Sequence, residues 1–156
     1  MGLIHQEIRR GTFKKPEAKE FIRRCLRNAQ NMYQTSIVLV IDNAPCHAAI
    51  EEVFEEDEFL NNHLLRLGPY SPMFNAIEYA WSNLKAGVKS DLSIQMPQIL
   101  AGENISNLTQ TEFRLQRLES IIRENITKIN VPNCIRHIAH IQKFIPDAIN
   151  MIDMTF

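Results

Sequence analysis

The sequence predicts an α/β fold in which helices are layered against a sheet, and three observations favour it. Residues Ile37–Ile41 are all aliphatic, which is typical of a strand buried on both faces within a parallel sheet. Helical periodicity occurs both before this run and after the short strand predicted at 64–67. The connections are short, so strands and helices alternate, with right-handed crossovers wherever neighbouring strands are parallel.

The composition is that of a globular protein with little net charge. The chain has 156 residues, of which 45% are hydrophobic and 22% charged, enough for one ordinary domain. Its formal charge of −1 lacks the basic excess typical of a non-specific DNA binder. The longest aliphatic run is far shorter than the ~18 residues of a membrane helix, and charged residues at 2–10 argue against a secretory signal. With three widely spaced cysteines, we expect an intracellular protein, nuclear or cytoplasmic, that is neither secreted nor membrane-bound.

The first predicted elements are a strand and an amphipathic helix. Gly2–Arg10 has the mixed pattern of a strand and ends in a turn at Gly11. Pro16 then stands where the first turn of a helix accepts proline. Apolar residues recur from there at helical spacing: Ala18, Phe21, Ile22, Cys25, Leu26 and Ala29. The sequence therefore predicts a helix with one buried face.

Two more helices and a third strand follow the aliphatic run. A helical pattern begins at Ala49, and we expect most of the acidic residues at 51–58 to face solvent. The strand at 64–67 ends in the turn Gly-Pro-Tyr-Ser-Pro at 68–72. A third helix starts after Asn75, and we expect its buried stripe to contain the following residues: Ile77, Ala80, Trp81, Leu84 and Val88.

The pattern changes after about residue 90. Ser90–Gly102 shows only weak periodicity. Thr109–Glu112 has the T-x-x-E spacing of a capping box, which predicts the start of a helix. We expect Pro132 to end this helix and one more helix to follow it. We therefore predict a domain at 1–92 and a helical C-terminal extension at 93–156 that packs on it.

Two acidic residues follow the predicted strands. Asp42 comes directly after the aliphatic run, and Glu78 lies in the first turn of the third helix. Each has an ordinary structural explanation, since Asp42 is a common turn residue and Glu78 forms a capping box with Asn75. If the two strands are parallel, however, their following loops leave the same edge of the sheet and bring the carboxylates together. Such a carboxylate pair suits Mg²⁺ or Mn²⁺, and two such ions can promote phosphodiester displacement.

The segments around these acids resemble two motifs of one enzyme family. Residues 40–47, V-I-D-N-A-P-C-H, resemble the D-N-A-P-x-H segment of mariner-superfamily transposases. Residues 67–85 resemble their L-P-P-Y-S-P-x-L-N-P-I-E-x-x-W-x-x-L-K segment. Asp42 and Glu78 are separated by 35 residues, a spacing that such enzymes use. The likeness covers roughly residues 2–92.

The resemblance implies a ribonuclease H-like fold with a D-D-E/D triad that binds two divalent metals, Mg²⁺ or Mn²⁺. It implies a DDE endonuclease and strand transferase that cuts and joins transposon DNA ends, as in DNA transposition and integration. The second acid of the triad maps onto Asp42 and the third onto Glu78. The first acid has no counterpart, since no motif maps onto Glu7, so the resemblance implies a fold truncated at its N-terminus, with its first strands missing.

Four polar residues within the two motifs are candidate DNA contacts: Asn43, His47, Asn75 and Lys85. Asn43 and Asn75 could instead cap helices. His47 could point at a metal ion or at a scissile phosphate, or it could instead form a local hydrogen bond. Lys85, one turn beyond Trp81, is a candidate phosphate contact. We expect Trp81 itself to be a core residue.

Two functions from different classes follow. The first is the DDE enzyme, incomplete because its first acid is absent. The second is a non-catalytic transposase remnant that serves as a protein- or DNA-binding module. Loss of the first strands would leave a sheet edge open, and an open edge can pair with a second copy to form a homo-oligomer.

Overall fold

The computed structural model describes residues 2–69, 71–101 and 108–151. Within them it contains six α-helices and two strands, and none of these helices combines the length and apolar character needed to cross a membrane. In chain order the elements are α1 (Lys15–Tyr33), β1 (Val38–Ile41), α2 (Glu51–Phe54), β2 (His63–Arg66), α3 (Ala76–Ala101), α4 (Gln110–Ile126), α5 (Val131–Gln142) and α6 (Ile145–Ile149). Short 3₁₀ helices at Pro45–His47 and Pro72–Phe74 precede α2 and α3. These residues form two compact units, one of residues 3–75 and 140–151 and one of residues 2 and 76–139.

The two strands form a parallel pair, which is the arrangement that the sequence analysis requires for their following loops to leave the same edge. In their register Val38 lies opposite His63, and Ile41 lies opposite Arg66. The Leu67 N–H donates to the Ile41 carbonyl at 2.9 Å, which continues the pairing to the ends of both strands. The segments that follow β1 and β2 therefore leave from the same edge of the sheet.

The core of the first unit lies between one sheet face, α1 and the segment around α2. The predicted apolar stripe of α1 is confirmed, since Ala18, Ile22, Leu26 and Ala29 are buried. Ile41 of β1 joins this core, together with four residues from the other elements: Ile50, Val53, Phe59 and, at its margin, Leu64. Burial of these side chains supplies the main stabilisation of the unit.

The prediction that β1 is covered on both faces is wrong. Val38 is 58% exposed and Val40 is 46% exposed, whereas Ile41 is buried. Alternate residues of a strand point to opposite faces, and the helices of this unit cover one of them. The other face presents Val38, Val40 and the half-exposed Leu65 as an apolar surface, which we call the open sheet face.

The prediction of a strand at Gly2–Arg10 is also wrong, because this segment forms no strand. Its side chains lie against α1 instead. The His5 ring packs 5.1 Å from the Phe21 ring, and Glu7 forms an ion pair of 2.6 Å with Arg24. These polar and aromatic contacts attach the segment to α1, and it pairs with neither of the two strands in the part of the chain that the structure describes.

The acidic run at 51–58 forms ion pairs with α1, although we expect it from the sequence to be solvated. Each pair joins a basic residue on one stripe of α1 to a glutamate on or after α2. The pairs are Lys19 with Glu52 at 2.5 Å, Arg23 with Glu56 at 2.6 Å and Arg27 with Glu58 at 2.7 Å. The basic residues recur every four positions, so they lie on the same side of the helix.

The second unit contains α3 packed against α4. Thr109 caps α4, since its hydroxyl oxygen accepts from the Glu112 N–H at 3.2 Å, and this confirms the N-cap contact of the predicted capping box. Gly87 lies so close to α4 that a Cβ at this position would overlap the side-chain amide of Asn125. Asn125 is itself buried and donates to Asp91 at 2.7 Å.

The predicted burial of Trp81 and Ile77 is wrong. Trp81 is 45% exposed and Ile77 is 52% exposed. Leu84 on the same helix is buried, as predicted. The helix also continues through the weakly patterned residues to Ala101, past Pro97. Trp81 lines an open apolar groove of about 520 Å³ with Lys85, Lys89 and other residues of α3 and α4, among them Leu84, Val88, Leu92, Met96 and Ile122. Periodicity identified this helix face, but it could not show that Trp81 and Ile77 on it stay largely exposed.

Candidate active site

Asp42 lies at the carboxyl end of β1, where the sequence places it. Its Oδ1 accepts a hydrogen bond from the Ala44 N–H at 3.0 Å and lies 2.7 Å from Nδ1 of His47. The carboxylate side chain is nevertheless 44% exposed. Asp42 therefore fixes the turn after β1 while its carboxylate stays open to solvent.

The surroundings of Asp42 favour its ionised form. The hydrogen bond from the Ala44 N–H, the contact with His47 and the charge of Arg66 lower the pKa of Asp42 against an opposing effect of burial. Because an ionised carboxylate can only accept, His47 donates its Nδ1–H in this contact. The second nitrogen of neutral His47, Nε2, is then an acceptor.

Arg66 connects the end of β2 to the loop that carries Asp42. Its Nη2 donates to the His47 carbonyl at 2.7 Å, and its Nη1 lies 3.4 Å from the Asp42 carbonyl. The same guanidinium forms a two-point ion pair with Glu51, in which Nη2 donates to Oε2 at 3.0 Å and Nε donates to Oε1. Arg66 holds the pKa of Glu51 at about 2. One side chain thus contacts the beginning, middle and end of the loop at 42–51.

Asn43 joins the loops that follow the two strands. Its Nδ2 donates to the Leu67 carbonyl at 2.6 Å. The residue before the 3₁₀ helix at Pro45–His47 is Ala44, and that helix has no side-chain cap. The predicted capping role of Asn43 is therefore wrong, because its amide bridges the strand ends instead.

The residues of the second motif lie at the start of α3. Asn75 is buried directly before this helix, and its N–H donates to the Pro72 carbonyl at 3.0 Å. Glu78 is exposed in the first turn of α3, and Lys85 is exposed two turns further on. Asp42 and Asn75 belong to the first unit, and Glu78 and Lys85 belong to the second. The approach of Asp42 to Glu78 therefore stays a prediction.

The comparison with protein families decides the class. The family model described as DDE superfamily endonuclease matches residues 3–98. This chain is a member of the DDE superfamily of endonucleases. The match covers more than half of the sequence and includes both Asp42 and Glu78. No curated protein and no solved structure matches the chain.

Membership of the DDE superfamily has consequences for fold and chemistry. The family implies a ribonuclease H-like fold, and the parallel pair β1–β2 with its helices is consistent with that α/β class. DDE endonucleases act on DNA and typically use divalent metals. The predicted α/β class and the predicted endonuclease family are thus confirmed at this level.

Among the described residues, Asp42 has a free carboxylate oxygen that could coordinate such a divalent metal. Oδ1 of Asp42 holds the turn, and Oδ2 has no hydrogen-bond partner among residues 2–69, 71–101 and 108–151. A carboxylate oxygen is the donor that Mg²⁺ and Mn²⁺ prefer. Within the described part of the chain, no three His, Cys, Asp or Glu side chains form a group that could hold a metal.

Arg66 and Glu51 are the two residues of this loop that sequence reasoning missed. The signal for Arg66 was present, because a basic residue among the leucines of the strand predicted at 64–67 must face either solvent or a partner. In the parallel register Arg66 lies beside Ile41, on the covered side of the sheet. A charged group on that side requires an acidic or carbonyl partner, and Glu51 is that partner.

Proposed function

We propose that this DDE domain is the C-terminal part of a mariner-type transposase catalytic domain that cleaves and joins DNA phosphodiesters with Mg²⁺ or Mn²⁺. The observation that carries the proposal is the position of Asp42. It is an ionised, solvent-accessible carboxylate at the carboxyl end of a strand, inside the motif that resembles D-N-A-P-x-H. Catalytic groups of α/β folds collect at such strand ends.

In this proposal Asp42 and Glu78 would hold the metal ions. A bound divalent ion would activate the attacking oxygen and stabilise charge on the leaving oxygen of the phosphodiester. The chain's own part is to keep Asp42 ionised through the Ala44 N–H and His47. The Arg66 and Asn43 contacts hold the loop against the ends of the strands and so keep the Asp42 carboxylate in one orientation.

The candidate DNA contacts differ in accessibility. Lys85 is exposed and forms no ion pair among the described residues, so it can reach a phosphate. His47 offers Nε2 while Nδ1 contacts Asp42. The amide of Asn43 already donates to Leu67, and Asn75 is buried, so we rank these two below Lys85 as phosphate contacts.

Metal binding tests this proposal. We expect Mn²⁺ titrated calorimetrically into the chain to give a weak binding isotherm, because no motif in the sequence supplies the first acid of the triad. Asp42→Asn should abolish the heat of binding. Asp57→Asn replaces an exposed aspartate elsewhere in the same unit and is the matched control. Equal heats from the chain and from Asp42→Asn would overturn the proposal.

DNA cleavage tests the activity separately. We expect slow or absent nicking of supercoiled plasmid by the chain alone with Mn²⁺. Any nicking that does occur should disappear in Asp42→Asn and in Glu78→Gln, and it should persist in Asp57→Asn. Nicking that survives both site substitutions would come from a contaminant or from another site.

A second candidate function is a non-catalytic binding module. The sheet has two strands within the described residues, so the outer edge of β1 has no strand beside it there, and the open sheet face is apolar. An unpaired apolar strand edge favours association with another chain, including a second copy. Light scattering coupled to size exclusion, run over a range of protein concentrations, should show a dimer that Val40→Lys weakens. A monomer at every concentration would contradict this candidate.

A further inference from the structure

The loop at 42–51 is contacted at both ends and in its middle by one side chain that lies outside both sequence motifs. We propose that Arg66 is a positioning residue for Asp42 and His47. Its guanidinium donates to the His47 carbonyl at 2.7 Å and lies 3.4 Å from the Asp42 carbonyl. These two carbonyls belong to the predicted metal ligand and to the residue that donates to it. Arg66 therefore acts on the site through the backbone of the loop.

The shape of the guanidinium makes this contact possible. Three of its nitrogens are used at once, since Nε and Nη2 engage Glu51 while Nη2 and Nη1 face the two carbonyls. A lysine has a single ammonium nitrogen and cannot reproduce a planar fork that spans several acceptors. Arg66→Lys therefore keeps the charge and removes the geometry.

Glu51 completes the arrangement by neutralising Arg66. An unpaired cation beside Asp42 would repel a divalent metal. In the two-point pair with Glu51, the positive charge is balanced without use of the Asp42 carboxylate. Asp42 thus stays available as a ligand, although a cation lies next to its backbone.

This inference rests on the proposed metal role of Asp42, and its first readout requires no metal. Neutral His47 should carry its proton on Nδ1, which side-chain nitrogen NMR distinguishes from the Nε2 form. We expect Arg66→Lys to shift His47 towards the Nε2-protonated form of free histidine, because the loop no longer holds Nδ1 against Asp42. The His47 signal is assigned by its absence in His47→Gln.

Arg27→Lys is the matched control. Arg27 also forms a two-point pair with a glutamate in the same unit, at 2.7 Å to each oxygen of Glu58. Its loss should lower the thermal midpoint about as much as Arg66→Lys and leave the His47 tautomer unchanged. A purely structural role of Arg66 predicts the same tautomer in both variants, and that result would overturn the inference.

Mn²⁺ affinity is the second readout. Residues that orient a metal ligand typically change metal affinity by roughly 10–100-fold, and we expect a loss of this size in Arg66→Lys. Absence of Mn²⁺ binding by the unsubstituted chain would overturn the proposed function, and the tautomer of His47 would still decide the role of Arg66. If Arg66→Lys fails to fold, the side-chain protons of Arg66 in the unsubstituted chain decide. They should exchange with water far more slowly than those of exposed Arg114, and equal rates would overturn the inference.

Discussion

The imidazole Nδ1 of His47 lies 2.7 Å from Oδ1 of Asp42, five residues earlier in the chain. The 3₁₀ helix at Pro45–His47 brings the two side chains together, because it turns the chain back towards the end of β1. The sequence leaves two roles open for each of these residues, a local structural contact and a part in the metal or DNA site. His47 does form a local hydrogen bond, and Asp42 does hold a turn. Neither contact uses Oδ2, so a structural role and a metal role are compatible.

Removal of His47 should raise the pKa of Asp42. The donor from His47 stabilises the ionised carboxylate, and His47→Leu takes that donor away. The Ala44 N–H remains, so we expect the pKa to stay below the ordinary value of an aspartate. Carboxyl carbon NMR over an acid titration measures this change. An unchanged or lower pKa of Asp42 in His47→Leu would show that His47 does not stabilise the ionised carboxylate.

Glu51 should contribute to stability in a defined range of pH. Arg66 depresses its pKa from 4.5 to about 2 in the folded chain. A depressed acid stabilises the fold above its unfolded pKa, and this contribution is lost as pH falls from 4.5 towards 2. Glu51→Gln should therefore flatten the pH dependence of unfolding in that range. At pH 7 we expect it to cost about 1 kcal/mol or less, since solvent screens a half-exposed ion pair.

Urea unfolding at several pH values measures this contribution. Glu55→Gln is a suitable control, because Glu55 is exposed and forms no ion pair within the described residues. The control should leave the slope against pH unchanged between 4.5 and 2. An equal change in slope for both variants would assign the effect to net charge and not to Arg66.

Sequence patterns predicted the strands at 37–41 and 64–67 and the position of Asp42 because these depend on local properties. The aliphatic run needs a sheet, and the polar residues after it end the strand. Which apolar residues the rest of the fold covers could not be predicted in the same way. Whether Val38 and Trp81 are buried depends on what lies above them, and periodicity reports only which residues share a face.

Long-range polar contacts could not be predicted from the sequence for a related reason. The glutamates at 51–58 look solvated until the basic stripe of α1 is placed beside them. Arg66 of β2 and Glu51 of α2 meet because β2 lies beside β1, from which the loop leads to α2. Such pairs can be recognised only when the fold is known. Sequence motifs therefore identify Asp42 and Glu78 but not Arg66, which holds the loop.

Phe59 should be the most costly core residue to truncate in the first unit. It is fully buried among α1, Ile50 and Val53, and the Arg27 guanidinium lies 5.6 Å from the centre of its ring. Phe59→Ala removes a large apolar side chain and leaves a cavity, which typically costs about 3–5 kcal/mol. Its neighbour Leu60 is 58% exposed, so Leu60→Ala should change the free energy of unfolding by about 0.5 kcal/mol or less. Similar losses for the two variants in urea unfolding would contradict this placement of the core.

Gly87 should tolerate no side chain, because α3 and α4 approach each other closely at this point. A Cβ there would overlap the buried amide of Asn125, which is held by Asp91 at 2.7 Å and by the Ile121 carbonyl at 2.9 Å. Alanine favours helices over glycine by about 1 kcal/mol, so propensity alone predicts that Gly87→Ala stabilises the protein. We expect the clash to prevail, with a loss of about 1–3 kcal/mol from overpacking.

The double variant Gly87→Ala, Asn125→Ala separates the two effects. Removal of the Asn125 amide makes room for the new methyl group, so in this background Gly87→Ala should become neutral or stabilising. Ser82→Ala, at an exposed position of the same helix, should change stability by about 0.5 kcal/mol or less. A stabilising effect of Gly87→Ala in the unsubstituted chain would mean that α3 and α4 lie further apart than the structure places them.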